Sequence, residues 1–523
     1  MPIPRKNVPR KNAKANTSKP VSKGSRKKGK QQKPSNSTNS RILEDERVSE
    51  LSLLVEEATR ATGNASTRFV EPALNTLRRA KAKRHHIVFG RRGSGKSSML
   101  GKARSDLSAD DHPVAFIDLE TFKEHSYPDV LLSVLIETLR EFQKWFTRRS
   151  KEKNVPEPPE LMKSLGDRIK ELRDLLHKPD DSNVTEIGTD GMGSKESSGT
   201  HRQQQLERTS TFKHSKTDYL MRHIMDFREI IEEVCLAVDD SAYIFLDDLY
   251  HLRRNDQARV IDYFHRVAKG LNLWLKIGTI KHRTQWYRHT ESPVGMKLGD
   301  DCDEINLDIT LENYKLAKDF LYKILDQLIA ESGLKGHSEL LTDGGVNRLV
   351  LASGGVARDF LTIFRKSIIH ALERGAEHHR GGKVGAEDVN AAAGDHDSTK
   401  RDELIRDATD AREQLEAALG KVQAFCISKK VNVLLIARDK ETPGTKTIGE
   451  LLDLRFLHLA DSRVTVRDNP GALHTCYLLD VSQYTGARKR RDMEMVDFWE
   501  RGKLDRIRRT KFVFNPDTSF INP

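Results

Sequence analysis

Residues Gly90-Arg91-Arg92-Gly93-Ser94-Gly95-Lys96-Ser97 place a glycine, four intervening residues and then Gly-Lys-Ser in one short run, with Ser98 following. That order suits phosphate chemistry. Glycines let backbone N–H groups approach a phosphate chain, a lysine after them reaches the β- and γ-phosphates, and the next hydroxyl can ligate Mg²⁺. The apolar run His86-Ile87-Val88-Phe89 before it reads as a buried strand, and residues 98–103 after it can continue as a helix. A strand, a glycine-rich turn and a helix N-terminus together form an anion site. ATP with Mg²⁺ is the expected ligand, held by Gly90, Arg91, Arg92, Gly93, Ser94, Gly95, Lys96, Ser97 and Ser98, with Ser97 on the metal.

A second cluster of chemistry follows 150 residues later. Tyr243-Ile244-Phe245-Leu246 is an apolar run that ends in Asp247-Asp248. The strand is expected to lie beside the one that feeds the phosphate loop. Asp247 would then hold the metal through water and Asp248 would polarise an attacking water. Residues 273–279 make a further strand ending in Thr279, a candidate for sensing the γ-phosphate or positioning the water. Farther on, Gly354-Gly355-Val356-Ala357-Arg358 opens a helix. Arg358 could bridge to the γ-phosphate and couple its loss to movement.

These residues need strands alternating with helices, which implies a mostly parallel sheet covered on both faces. Lead-in helices are expected over residues 42–57 and 70–80, a second strand over 112–119 and an amphipathic helix over 128–146. Residues 147–216 read as a charged, partly disordered insertion, helical near 160–177 and rich in Gly, Ser, Thr and Asp over 179–199. Residues 219–238 return to a helical pattern. Beyond 308 come helices over 311–332, 340–352 and 358–375. The last piece offers a helix over 401–428, strand-like 431–437, a helix over 447–454 and strands over 463–466 and 475–481. Helices followed by a two-stranded wing suggest a winged-helix-like module. The expected organisation is therefore a basic tail (1–41), a nucleotide-binding domain (42–308), a helical lid (309–397) and a winged-helix-like domain (398–523).

The chain has 523 residues and a net charge of +12. Its first 41 residues hold thirteen Lys/Arg and no Asp/Glu, so the rest is close to neutral. Such a tail has too little apolar surface to fold and suits DNA phosphates. Residues 488–511 form a second basic stretch, with ten Lys/Arg against five acids. Four scattered cysteines (Cys235, Cys302, Cys426 and Cys476) give no disulfide or zinc pattern. No run is long and apolar enough to span a membrane, and the N-terminus lacks a signal-peptide core. A soluble protein of a reducing, cytoplasmic compartment is expected, nucleoid-associated if it holds DNA.

In this order the motifs resemble those of the AAA+ superfamily of P-loop ATPases, and its origin-recognition/initiator-type branch with bacterial relatives in particular, over roughly residues 60–395. Gly90 to Ser97 is similar to Walker A, Leu246-Asp247-Asp248 to Walker B, and Thr279 falls at sensor 1. Gly355-Val356-Ala357-Arg358-Asp359 resembles the sensor 2 turn, with Ala357 where that turn has proline. The resemblance implies an α/β AAA+ core, a helical lid, a winged helix that contacts DNA, and an arginine finger acting between copies in a homo-oligomer, for which Arg283 and Arg288 are candidates. The second Walker B acid is Asp rather than Glu, sensor 1 is Thr rather than Asn, and residues 147–216 are unusual for the branch. Two functions from different classes follow: a DNA-associated ATPase, or a nucleotide-gated signalling switch of the STAND type with slow turnover and a protein partner. A compact metabolic kinase fits the lid, module and basic tail poorly.

Overall fold

Buried apolar runs bounded by polar turns build a five-stranded parallel sheet: β1 (His86–Phe89), β2 (Val114–Asp118), β3 (Ala242–Asp247), β4 (Leu273–Thr279) and β5 (Asp303–Asn306). The computed structural model describes residues 42–59, 68–178, 216–238, 240–378, 382–407, 412–438, 442–485, 493–500, 502–506 and 508–521. The basic tail of residues 1–41, the 179–199 segment and Arg488 to Arg491 lie outside these.

The strand order is β2-β3-β4-β1-β5. Here the structure departs from the sequence expectation. β3, with its two acids, does not neighbour β1, because β4 lies between them and pairs with both. Asp247 is nonetheless level with the phosphate loop, since the parallel strands all end on one side, as the register pairing of Phe89 with Thr279 and of Leu246 with Ile277 shows. Side-chain alternation splits the core into two layers. Ile87, Phe89, Ile244 and Leu246 face one layer, while Val88, Tyr243 and Phe245 face the other.

The first layer is closed by the long helix Asp129–Lys153 and by Pro159–Leu176, whose Leu161, Leu165, Ile169 and Leu172 are buried in the same core. The helical stretch near 160–177 is thus packed against the long helix and against Ile224–Leu236, in the same core. The helix expected over 70–80 is confined to Thr76–Lys81, after Pro72 and a left-handed Asn75. Pro and positive φ both oppose an earlier start.

β4 carries Lys276, which is wholly buried. Its ammonium donates to the carbonyls of Ala82 (2.6 Å) and Arg84 (2.7 Å) and lies 3.0 Å from His86 Nδ1. Burial lowers its pKa to about 7. The unfolded chain keeps this proton up to about pH 10.4, so between those values it binds more protons than the native state, and stability rises with pH. Urea midpoints should therefore increase from pH 7 to pH 9, by at most a few kcal/mol in stability. The Lys276→Met variant should lose that slope.

Beyond the sheet the chain is helical: α1 (Tyr314–Glu331), Asp343–Ser353, α2 (Ala357–His378) and α3 (Ala386–Asp407). α3 runs without interruption across residues 397 and 398. Arg412–Lys429 follows, then β6 (Val433–Ala437), α4 (Pro443–Asp453), β7 (Leu457–Val466) and β8 (Asn469–Leu479). The three strands form an antiparallel sheet in the order β6-β8-β7. The β7–β8 hairpin contains most of the strands expected over 463–466 and 475–481, and β6 adds a third strand. Between β6 and β7 the described residues contain one helix, α4, which starts at Pro443, four residues before the expected 447–454. The helices of residues 314–378 and the C-terminal sheet share one hydrophobic core, which includes Leu321, Leu349, Phe360, Leu434, Leu457 and Leu478. Among the described residues, no helix is long and apolar enough to cross a membrane. The four cysteines are free and buried.

Candidate functional site

The loop after β1 is shaped by backbone and by one buried arginine. The Gly90 N–H donates to the Thr279 carbonyl at 3.2 Å, tying the loop to β4. Arg91 points away from the loop's concave side. Its N–H donates to Asp308 Oδ1 (2.8 Å), and its guanidinium donates to the carbonyls of Ile309 and Gly354, each at 3.1 Å. Arg91 thus braces the loop against residues 308–309 and the Gly354 turn, and its side chain does not line the cavity. Gly93 has φ +82°, and a Cβ there would lie 2.7 Å from the Arg358 Cβ, so both conformation and space call for glycine. Lys96 begins the helix Lys96–Ala109, and its ammonium donates to the Gly90 carbonyl (3.0 Å) with Asp248 Oδ1 at 3.8 Å. Ser94 Oγ is buried with no hydrogen-bond partner among the described residues.

A cavity of about 950 Å³ opens beside this loop. Arg92, Gly93, Ser94, Gly95, Lys96, Ser97 and Ser98 line it, together with Asp118, Asp247, Asp248 and Arg358. The rest of its lining mixes apolar Phe69, Val70, Pro72, Ile324, Leu328 and Leu361 with Gln327 and the ion pair of Arg68 with Glu331. The loop side can therefore hold phosphates and the apolar side chains a flat ring, a combination typical of small-ligand sites.

Asp247 ends β3 and is 3% exposed. Its Oδ1 accepts from the Asp248 N–H at 2.9 Å. The neighbouring β4 residue is Gly278, where any Cβ would collide with that carboxylate. Burial, then the Asp248 charge, push the Asp247 pKa up to about 7, against a hydrogen bond from Ser97 and the charge of Lys96. The donor set suits a hard cation: a hydroxyl and a carboxylate side by side, short of ligands unless phosphate oxygens and water complete them. Asp248 adopts a left-handed conformation (φ 54°) that turns it toward Lys96. Asp118, opposite Asp247 on β2, also reaches the cavity, and burial with the Asp248 charge raises its pKa.

Arg358 stands at the start of α2, with its N–H donating to the Gly93 carbonyl at 3.3 Å. Burial, Arg455 and Arg92 lower its pKa, but a guanidinium stays charged. Thr279 is placed differently. Its hydroxyl bonds to that of Thr284, and it does not line the cavity. Gly90 likewise contributes through its backbone only to the loop's shape. Arg283 stacks 5.7 Å from the ring of Tyr250, a cavity residue, and Arg288 donates to the Asn255 carbonyl at 2.6 Å. Sequence reasoning missed Asp118, Gly278 and the apolar side chains of the lining. Asp118 alone had a signal, as an acid that ends a buried strand.

The chain matches no family model and no curated protein. Among solved structures it is similar to Orc1 of Aeropyrum pernix, determined in complex with DNA, at 14% identity over 83% of this chain and 89% of that one, with a TM-score of 0.30. It is also similar to Cdc6p of Pyrobaculum aerophilum, at 12% identity over 86% and 92%, with a TM-score of 0.28. Those overlays are loose, so the fold is defined by this chain's own strand order and loop. The core is a five-stranded parallel α/β sheet with a glycine-rich loop between β1 and the helix Lys96–Ala109, followed by helices and a C-terminal three-stranded sheet.

Proposed function

We propose that this protein binds ATP with Mg²⁺ in the cavity and hydrolyses it slowly, using nucleotide state to set the lid and the C-terminal domain. The observation that carries this reading is the convergence of residues 92–98, Asp247, Asp248 and Arg358 on one cavity. Backbone N–H groups of the loop and Lys96 would cradle the phosphates, with Ser97 and Asp247 holding the cation. Bound Mg²⁺ would neutralise charge on the β- and γ-phosphates. Asp248 would orient the attacking water, and Arg358 would meet the γ-phosphate. The apolar side chains would take the base, with Gln327, Arg68 and Glu331 the polar side chains near its edge. Asp248→Asn should leave ATP affinity close to wild type and lower turnover about 10²-fold or more, as loss of a general base does. Phosphate release, measured alongside binding, checks this. Equal loss of both would remove Asp248 from that role.

DNA is the proposed macromolecular partner, with the basic tail and the β7–β8 hairpin as its grips. The Arg467 N–H donates to the Arg508 carbonyl at 3.1 Å, and Arg508 Nε to the Thr465 carbonyl at 2.8 Å. Arg508 thereby ties the described end of the basic stretch to the hairpin, with Arg463, Arg467, Arg506, Arg509 and Lys511 all exposed. Each phosphate contact adds about −0.9 to the slope of log K against log salt. Arg463→Ala with Arg467→Ala should flatten that slope by about 2, and deleting residues 1–41 should flatten it further. Unchanged slopes would sink the DNA reading.

One observation favours a second reading, a nucleotide-gated switch with a protein partner. Asp248 lies 3.8 Å from Lys96, an arrangement that opposes its acting as a free base. Under that reading Asp248→Asn locks the protein on, and DNA leaves turnover unchanged.

A further inference from the structure

Arg455 follows α4 in the C-terminal domain and is 1% exposed. It holds a left-handed backbone conformation (φ 64°) that a non-glycine residue adopts only at a cost. Its guanidinium joins three elements of the nucleotide region. Nη1 donates to the Arg92 carbonyl in the phosphate loop at 2.8 Å. Nε is 3.3 Å from Asp359 Oδ2, on the residue after Arg358, and Nη2 bonds the Glu403 carboxylate on α3. His396 Nε2 (3.3 Å) and Lys400 Nζ (3.9 Å) also face Asp359. Asp359 is therefore surrounded by other cations, and Arg358 makes no ion pair within 4 Å among the described residues. The other side of α4 reaches the loop after β4: Asp453 accepts from the His282 N–H at 2.9 Å and faces its Nδ1 at 3.1 Å. Gly449 lets the His282 ring pack against the helix, since a Cβ there would come within 2.6 Å of it.

We infer that Arg455 is a positioning residue of the nucleotide site supplied by the C-terminal domain: it fixes the phosphate loop through the Arg92 carbonyl and, by occupying Asp359 and Glu403, leaves Arg358 available to a γ-phosphate. This rests on the ATP reading above. Without Arg455, the carboxylate of Asp359 sits next to Arg358 with one fewer cation, and drawing that guanidinium away lowers affinity for ATP more than for ADP. Coupling is reciprocal, so ATP should in turn hold α4 in place better than ADP does.

An interior ion pair with a purely structural role would lower stability without changing the choice between ATP and ADP. The test is binding of fluorescent ATP and ADP analogues to the full chain and to Arg455→Met, Arg455→Lys and Lys96→Ala, with Mg²⁺. Arg455→Met should lose about tenfold of the wild-type ATP-over-ADP preference, the effect of one charged hydrogen bond. Arg455→Lys, which keeps the charge, should recover part of it. Amide exchange of residues 443–453 in the wild-type chain gives a second measurement that needs no variant to fold, and ATP should slow it more than ADP. A wild-type preference in Arg455→Met overturns the inference, as does equal exchange with the two nucleotides. If the wild-type chain binds neither nucleotide, the ATP reading itself has failed. If wild type binds, Lys96→Ala does not and the preference is unmoved, only the role of Arg455 has.

Discussion

Lys96→Ala is expected to weaken ATP binding and lower turnover by about 10² or more, because it removes the cation that meets the phosphates in a site of restricted solvent access. The same change should leave the ligand-free protein close to wild-type stability. Lys96 donates one hydrogen bond, to the Gly90 carbonyl, and its carboxylate neighbour Asp248 is partly exposed at 3.8 Å. An ion pair at that separation, with one partner partly exposed, contributes about 1 kcal/mol or less. Thermal unfolding separates the two effects. ATP at a hundredfold excess over its Kd stabilises a binding protein by about 2.7 kcal/mol, and that increment should vanish in Lys96→Ala while the ligand-free transition stays in place. Loss of the ligand-free fold would instead make Lys96 a structural residue.

Lys400→Met should have the largest effect on stability. Lys400 Nζ lies 2.8 Å from Asp480 Oδ2 and 3.9 Å from Asp359 Oδ2, and it donates to the Arg455 carbonyl at 3.3 Å. His458 Nε2 completes the group, 2.6 Å from Asp480. All of these groups are buried. Removing one partner of a buried pair strands the other charge, at a cost of about 3–5 kcal/mol. Burial pushes both aspartates up, yet Lys400 and His458 hold Asp480, and Arg455 with His396 and Lys400 hold Asp359, well below the ordinary carboxylate range. Depressed carboxylates stabilise above their unfolded pKa, near 4, and that stability is lost as pH falls below it. In Lys400→Met a stranded Asp480 takes up a proton more readily. The penalty read from urea midpoints should therefore be greatest near pH 7 and smaller at pH 5. A change under 1 kcal/mol at pH 7 would mean that the group carries little of the fold.

Much of the core around the cavity was legible because its signals are local. The Gly90 to Ser97 spacing, the apolar run ending in Asp247-Asp248 and the Gly-Gly turn before Arg358 each sit within a few residues, and the structure brings all three to one cavity. β5 was missed because Asp303-Glu304-Ile305-Asn306 is polar at an exposed sheet edge, with Ile305 the one fully buried side chain. The neighbour of β3 was misjudged because strand order is not written in any one strand. Thr279 was chosen for its place at a strand end, but whether that hydroxyl meets a ligand or Thr284 depends on a loop five residues on. Arg455 gave no signal at all. A single arginine after a helix resembles any solvated one, and its partners are 363, 96 and 52 residues away in sequence.

The most direct test of the central claim is calorimetric titration of the full chain with ATP in Mg²⁺, repeated with the metal chelated. The account predicts saturable binding of one nucleotide per chain, weakened by chelation and absent in Lys96→Ala. No binding of ATP by the wild-type chain at millimolar concentration would contradict it and leave residues 90–97 as a turn held in place by Arg91.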